Sequence, residues 1–388
     1  MARTYAQQSP LLNEGGLLRI SLLTCSPSEE IYALYGHTAL RITDVTRGID
    51  EVYNYGLFDF NSPNFGWRFA LGHTDYYLGK QPYEYFERAY LERGSYITEQ
   101  VINLTYREAQ RLLQSLEDTL NSTNRVYRYN YFYKNCSSMA RDAIVRAIEG
   151  KIYYKISDLD FKTSFRAIVH EYTAHTPWTK FSQDLLLGYG ADTTIALSEQ
   201  QFVPQNLLKS LNYAQIEDST GAIRPLIVQT NTIGEVRAIN FSSHTLLPWH
   251  VSTLLLVITG AMFILEKRLQ RQLWIWDVIL LLLQGIPGIL VAFMVLCSEH
   301  PSVNINWIIL VMNPLPLLYL PRYIYLRKHQ QADPYNVVAI VVYTAFLVSF
   351  CLEWQWISSA MGLWAFNLLL LHFIRYYQQY HSTRILTA

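Results

Sequence analysis

LWIWDVILLLLQGIPGILVAFMVLCS, residues 273–298, is the stretch whose reading decides what kind of protein this is. A helix needs about 20 residues to cross the hydrocarbon core of a bilayer. This run is longer than that, and Asp277 is its only formally charged residue. Working outward, four further apolar windows appear at 246–265, 305–320, 336–352 and 354–374. The third is short and carries Pro314 and Pro316, which predicts a kinked or re-entrant segment there. Residues 246–377 therefore read as an all-α bundle of about five transmembrane helices, followed by a tail over 378–388.

Lys and Arg accumulate on the cytoplasmic side of span ends. Lys267, Arg268 and Arg271 lie between the first and second windows, and Arg322, Arg327 and Lys328 between the third and fourth. Arg375 and Arg384 follow the fifth, while 299–304 and Glu353 contribute no Lys or Arg. That alternation puts the carboxyl terminus in the cytoplasm and everything before residue 246 on the outer side. Glu299, His300, Asn304, Asn306, Asn313 and Glu353 then mark the outer face. They read either as an ordinary solvated loop or as a rim that holds a lipid headgroup or orients the preceding domain.

Over all 388 residues, 51% are hydrophobic and 16% charged, an average of two regimes, because up to about residue 240 charges of both signs recur every few positions. Residues 17–240 read as one extracytoplasmic domain. Formal net charge is zero and no basic cluster is sustained, so nothing points to nucleic acid. Cys25, Cys136, Cys297 and Cys351 have neither metal-ligand spacing nor the look of a disulfide framework, and no metal or cofactor is expected. Residues 1–16 hold no apolar signal core; Thr4-Tyr5-Ala6 before Gln7 resembles a cleavage remnant, and the export signal is read as removed or replaced.

Within 17–240, strands are expected over 17–25, 38–44, 51–58 and 96–104, the second and third joined by a turn at Thr46-Arg47-Gly48. Leu112, Leu113, Leu116 and Leu120 give helical spacing to 106–120. Over 127–134, Tyr127, Tyr129, Tyr131 and Tyr133 alternate with other residues, predicting a strand with one tyrosine face. Asn135-Cys136-Ser137-Ser138 then opens a helix that runs to Ile148 before Gly150.

A thiol at a helix start feels the positive end of the dipole, which favours thiolate. Unpaired first-turn amides there are also suited to stabilise an oxyanion. The competing reading is a small buried hydrophobe. Of ten histidines, His37 fits a base for Cys136, because it opens a strand behind Gly36, a residue that permits close backbone approach. Antiparallel pairing through the turn brings Asn54 beside it as the group that fixes the imidazole tautomer, with Asp59 the runner-up. His73, His170 and His175 read as surface or structural histidines.

Gly36-His37-Thr38-Ala39-Leu40-Arg41, Tyr53-Asn54-Tyr55-Gly56 and Asn135-Cys136-Ser137 through Arg141-Asp142 occur in that order. In them the chain resembles the Lnb-type lipoprotein N-acyltransferases of Bacteroidetes, and the likeness continues through 178–204 to His300-Pro301, Asn304, Asn306 and Asn313-Pro314. The resemblance implies an α+β extracytoplasmic domain, a permuted relative of papain-like NlpC amidases and lecithin:retinol acyltransferases, in a bacterial inner-membrane protein. It further implies an acyl chain passed from a glycerophospholipid to the α-amine of a diacylglyceryl apolipoprotein, with Cys136 as nucleophile and His37 as base. Tyr35, Tyr55, Asn135 and Ser137, with His300 at the outer face, are the candidates for substrate contact. The aromatics of 58–77 suit either core packing or an acyl-chain groove. Two rivals stand beside this reading: a cell-wall cysteine amidase or peptidase using the same pair, and a non-catalytic membrane receptor or assembly factor in which Cys136 is structural and open to pairing with Cys25.

Overall fold

The computed structural model describes residues 18–30, 33–59, 61–154, 163–236, 246–329 and 331–387, with side chains as far as 379. Residues 1–16 lie outside these. The chain divides into two compact units, Met1–Thr163 with Thr194–Phe241, and Ser164–Thr193 with Ser242–Ala388. In chain order the elements are β1 Leu18–Cys25, β2 His37–Asp44, β3 Ile49–Leu57, α1 Phe65–Leu71, β4 Asp75–Pro82, α2 Tyr83–Glu92, β5 Ile97–Ile102, α3 Tyr106–Leu120, β6 Val126–Arg128, α4 Cys136–Ala147 and β7 Lys151–Tyr154. They continue as α5 Phe165–Tyr172, α6 Pro177–Leu186, α7 Leu197–Gln200, α8 Pro204–Asn212, β8 Ala214–Glu217, β9 Ile223–Pro225 and β10 Ile227–Ile233. The last five are α9 Pro248–Leu269, α10 Trp274–Cys297, α11 Leu315–Lys328, α12 Tyr335–Cys351 and α13 Ser359–Thr387.

The first unit is a mixed α/β domain around an antiparallel seven-stranded sheet of order β10-β5-β1-β2-β3-β4-β6. β1 is buried along almost its whole length, as a central strand covered on both faces must be. Its register on β2 runs from Leu18↔Asp44 to Cys25↔His37. The β2–β3 turn forms because Asp44 Oδ1 accepts from the Thr46 and Arg47 amides, and Gly48 supplies a φ of 63°. α3 and α4 cover one sheet face with Leu112, Leu116, Ala143 and Ile144 against Leu22, Leu40 and Tyr53. α3 begins where the sequence places it, because Thr105 and Glu108 form a capping box. β7, β8 and β9 make a separate small sheet.

In this unit one expected element is different. The period-two run over 127–134 is strand only for the three residues of β6. Asn130 Oδ1 accepts from the amides of Phe132 and Tyr133, and Asn130 and Lys134 pair back on each other, so the chain turns. The single tyrosine face is therefore broken: Tyr127 is buried, whereas Tyr133 is 49% exposed.

The second unit is helical. α9, α10 and the segment Trp307–Lys328 are long and apolar enough to cross a membrane, and α12 is a shorter apolar helix. The third expected span is not one continuous helix over 305–320. A short 3-10 turn, Trp307–Leu310, precedes α11, which starts after Pro314 and runs to Lys328. The backbone of Asn313 lies hard against Gly288, where a Cβ would come within 2.5 Å of the Asn313 amide. The fifth expected span starts late, at Ser359, because 354–358 are held in a loop by groups such as Gln355, which donates to Leu187 O at 3.1 Å.

Charges inside this unit are matched. The Arg375 guanidinium bonds both oxygens of Glu266 and both of Asp277 at 2.6–2.8 Å, fastening α9, α10 and α13 together. Residues 164–193, read from sequence as part of the 17–240 domain, cluster with this unit. Arg166, 1% exposed, bonds Asp184 and Asp192, while Gly188 N donates to Ser302 O at 2.8 Å and Asn306 donates to Leu185 O at 2.9 Å.

Candidate active site

Cys136 is the first residue of α4, set there by Asn135 as N-cap. Asn135 Oδ1 accepts from the amides of Ser137 at 2.9 Å and Ser138 at 3.0 Å, Ser138 Oγ accepts in return from the Asn135 amide, and Met139 N donates to Asn135 O. The cap is anchored in turn, because Asn135 Nδ2 donates to Tyr131 O and Phe202 O at 2.7 and 2.9 Å. This narrows the expectation that first-turn amides receive an oxyanion. Those of Ser137, Ser138 and Met139 are committed to Asn135, and only the Cys136 amide lies outside the cap.

His37 opens β2, and Gly36 sets its approach. Gly36 has a φ of 73°, and a Cβ there would stand 2.4 Å from Cys25 O, so no larger residue fits without moving β1. The β2–β3 ladder stops at Leu40↔Tyr53, and beyond it the strands part. In that gap His37 Nε2 meets Asn54 Oδ1 at 2.6 Å. Asn54 is an acceptor through Oδ1, so Nε2 carries the hydrogen and Nδ1 is left to Cys136. Tyr90 of α2 stacks on the imidazole, with centroids 5.8 Å apart and planes 8° from parallel. Gly56, at φ 91°, closes over the pair; a Cβ on it would lie 3.6 Å from Cys136 Cβ and 3.9 Å from His37 Cε1.

The electrostatics follow from this geometry. Burial opposes a thiolate, yet the charge and hydrogen bond of His37, the Thr38 amide and the Ser137 hydroxyl outweigh it and hold the Cys136 pKa below that of an ordinary thiol. Burial likewise opposes an imidazolium, but the charge and hydrogen bond of Cys136 and the bond to Asn54 raise the His37 pKa. Cys25 is the contrast. Burial, then the negative charge at Cys136, push its thiol well up, and neither cysteine is in a disulfide. The lowered thiol and raised imidazole pKa values favour a thiolate–imidazolium pair with an oriented ring, an arrangement suited to attack on a carbonyl carbon.

The structure brings Cys136, His37 and Asn54 together, with Asn135 beneath them. Ser137 is buried and exchanges a 3.0 Å hydrogen bond with Thr38, tying α4 to β2. Tyr55 is buried edge-on to Tyr127, and half-buried Tyr35 stands edge-on to Tyr131. Asp59 is exposed and turns its carboxylate to the Asn61 amide, away from the orienting role. His300 is buried in the second unit at the start of the turn Pro301–Val303. His170 is a structural residue there, bonded to Asp184 at 2.7 Å. Tyr90, Thr38 and Tyr127 were not picked out as site residues; Tyr90 carries no motif, and its place on the α2 face beside Phe86 looks like core. Among the described residues no group of three or more His, Cys, Asp or Glu is arranged to hold a metal ion.

Two family models match the chain: the Lnb N-terminal periplasmic domain over residues 14–171 and the Lnb transmembrane domain over 240–383. The chain belongs to the Lnb family. The likeness read from sequence to the Lnb-type lipoprotein N-acyltransferases thus extends over both halves, with a periplasmic domain ahead of membrane-spanning helices. The Lnb periplasmic match contains His37, Asn54 and Cys136, and the Lnb transmembrane match contains His300. Comparison with curated proteins and with solved structures returned no match.

Proposed function

We propose that this Lnb-family protein is a cysteine-dependent lipoprotein N-acyltransferase. It passes a fatty acyl chain from a glycerophospholipid to the α-amine of a diacylglyceryl apolipoprotein. The observation that carries the reading is the His37–Asn54 bond at 2.6 Å beside a Cys136 whose pKa is lowered, inside a domain of this family. The Cys136 thiolate attacks the donor ester carbonyl, and lysophospholipid leaves with the proton carried by His37. Neutral His37 then takes a proton from the acceptor amine as the amine attacks the thioester, and the amide product departs with the thiol restored. Asn54 holds the ring in the productive tautomer.

Membrane-spanning helices suit two substrates that are both lipid-anchored. The inner membrane is the site we propose, with the carboxyl terminus cytoplasmic. Lys267, Arg268 and Lys328 are exposed at the carboxyl ends of α9 and α11, which supports that orientation. The test is purified protein in micelles with phospholipid and a synthetic S-diacylglyceryl-cysteine peptide. N-acylated peptide and lysophospholipid are expected in equal amounts, and both lost in Cys136→Ala and His37→Ala. Hydrolysis of muropeptides with no lysophospholipid released would overturn the reading in favour of an amidase.

A further inference from the structure

An attack by Cys136 puts negative charge on a carbonyl oxygen, and the amides of Ser137, Ser138 and Met139 are already bonded to the Asn135 cap. The Cys136 amide is the one first-turn donor left, and a second donor has to come from elsewhere. Tyr127 is buried, and no described residue accepts the proton of its hydroxyl. A buried hydroxyl proton without an acceptor is rare in a native fold, and it suits a group that arrives with the substrate. The ring is fixed by its neighbours: Tyr127 sits opposite Tyr76 in the β4–β6 ladder and edge-on to Tyr55 at 6.2 Å. The cluster holding Tyr55, Tyr76 and Tyr127 is the one against which Cys136 packs.

Gly56 links the two. The β3–β4 register slips between Asn54 and Leu57, leaving Tyr55 and Gly56 outside the ladder. The Gly56 amide faces the oxygen of the Tyr127 hydroxyl as a donor, which leaves the hydroxyl proton to give, and Gly56 itself lies over Cys136. We propose that the Tyr127 hydroxyl, with the Gly56 amide beside it, donates to the oxyanion formed when Cys136 is acylated and deacylated. Burial, then the charge at Cys136, raise the phenol pKa and keep its proton available to give.

The step balances without a co-reactant. The sulfur lone pair forms the C–S bond as the carbonyl π pair moves onto oxygen, where Tyr127 holds it. The pair then returns, the C–O bond to the alcohol breaks, and the leaving oxygen takes its proton from His37.

The inference rests on Cys136 being the nucleophile of the proposed reaction, so the experiment uses an ester that does not depend on the natural donor. Full-length protein and Tyr127→Phe are mixed with a p-nitrophenyl ester, and the p-nitrophenolate burst is timed. Alkylation of Cys136 by iodoacetamide, followed by peptide mass, reports the thiolate and the fold in parallel. The expected result is a burst slowed by a factor on the order of 10²–10³ with the alkylation rate unchanged. An unchanged burst overturns the proposal, and so does a parallel loss of burst and alkylation, which would make Tyr127 a packing residue. A Tyr127-dependent burst in a protein that takes no acyl group from phospholipid would overturn the donor assignment and leave this inference standing. Wild-type protein that is alkylated but gives no burst overturns both.

Discussion

A thiol in a dry site has every reason to stay protonated, and Cys25 does. Cys136 differs because three separate segments converge on it: α4 supplies its position, β2 supplies His37 and the Thr38 amide, and β3 supplies Asn54. Removing Asn54 tests the coupling. Without its bond to Nε2 the imidazolium is less favoured, and a less charged ring holds the thiolate less well. Asn54→Ala should therefore shift the pH profile of Cys136 alkylation upward, toward the ordinary thiol value of about 8.5. In the wild type the alkylation rate should already be high below that pH, since the Cys136 pKa is lowered. A profile unmoved by the substitution would remove Asn54 from the site. That His37, Asn54 and Cys136 come together was legible in the sequence because strand pairing through a short turn is local and helix starts are marked by their caps. Of the expected first-turn oxyanion donors only the Cys136 amide stays open, because Asn135 takes up the amides of Ser137, Ser138 and Met139.

At the level of elements, local signals worked where they agreed with one another. The capping box of α3 and its leucine spacing gave the same boundaries, whereas the tyrosine alternation over 127–134 competed with Asn130, whose side chain turned the chain. Glu108 ties that region together. Its carboxylate accepts from the Thr105 and Glu149 amides and, through both oxygens, from Arg224 Nη2, joining α3, the end of α4 and β9. Burial opposes its ionisation, but the Arg224 and amide hydrogen bonds prevail and hold its pKa below the usual glutamate value. A carboxylate depressed in the fold stabilises it above its unfolded pKa of about 4.3, and that contribution fades as pH falls through the lower folded value. Glu108→Gln should lower stability at pH 7 by about 1.5–3 kcal/mol, read from denaturant unfolding of the full chain in detergent. The gap to wild type should narrow in acid; a gap that stays constant with pH would mean that the Glu108 charge plays no part.

Over the whole molecule, hydropathy and charge located the membrane half correctly but could not show which cations were loop charges. Arg327 and Arg375 count toward the cytoplasmic bias by sequence, yet in the structure they are buried against Asp333 and against Glu266 with Asp277. Nor did the sequence mark residues 164–193 as belonging with the helices, because their attachment is made through backbone carbonyls of Leu185 and Leu187, which accept from Asn306 and Gln355, residues far along the chain. What unites the two halves is the proposal that one thiol carries an acyl group taken from lipid. The direct measurement is the intact mass of purified protein after incubation with a defined phospholipid. A gain of one acyl chain on Cys136, absent in Cys136→Ser and discharged by a diacylglyceryl-cysteine peptide, is the expected result. Lysophospholipid released with no adduct on Cys136, or an adduct that survives in Cys136→Ser, would contradict the account.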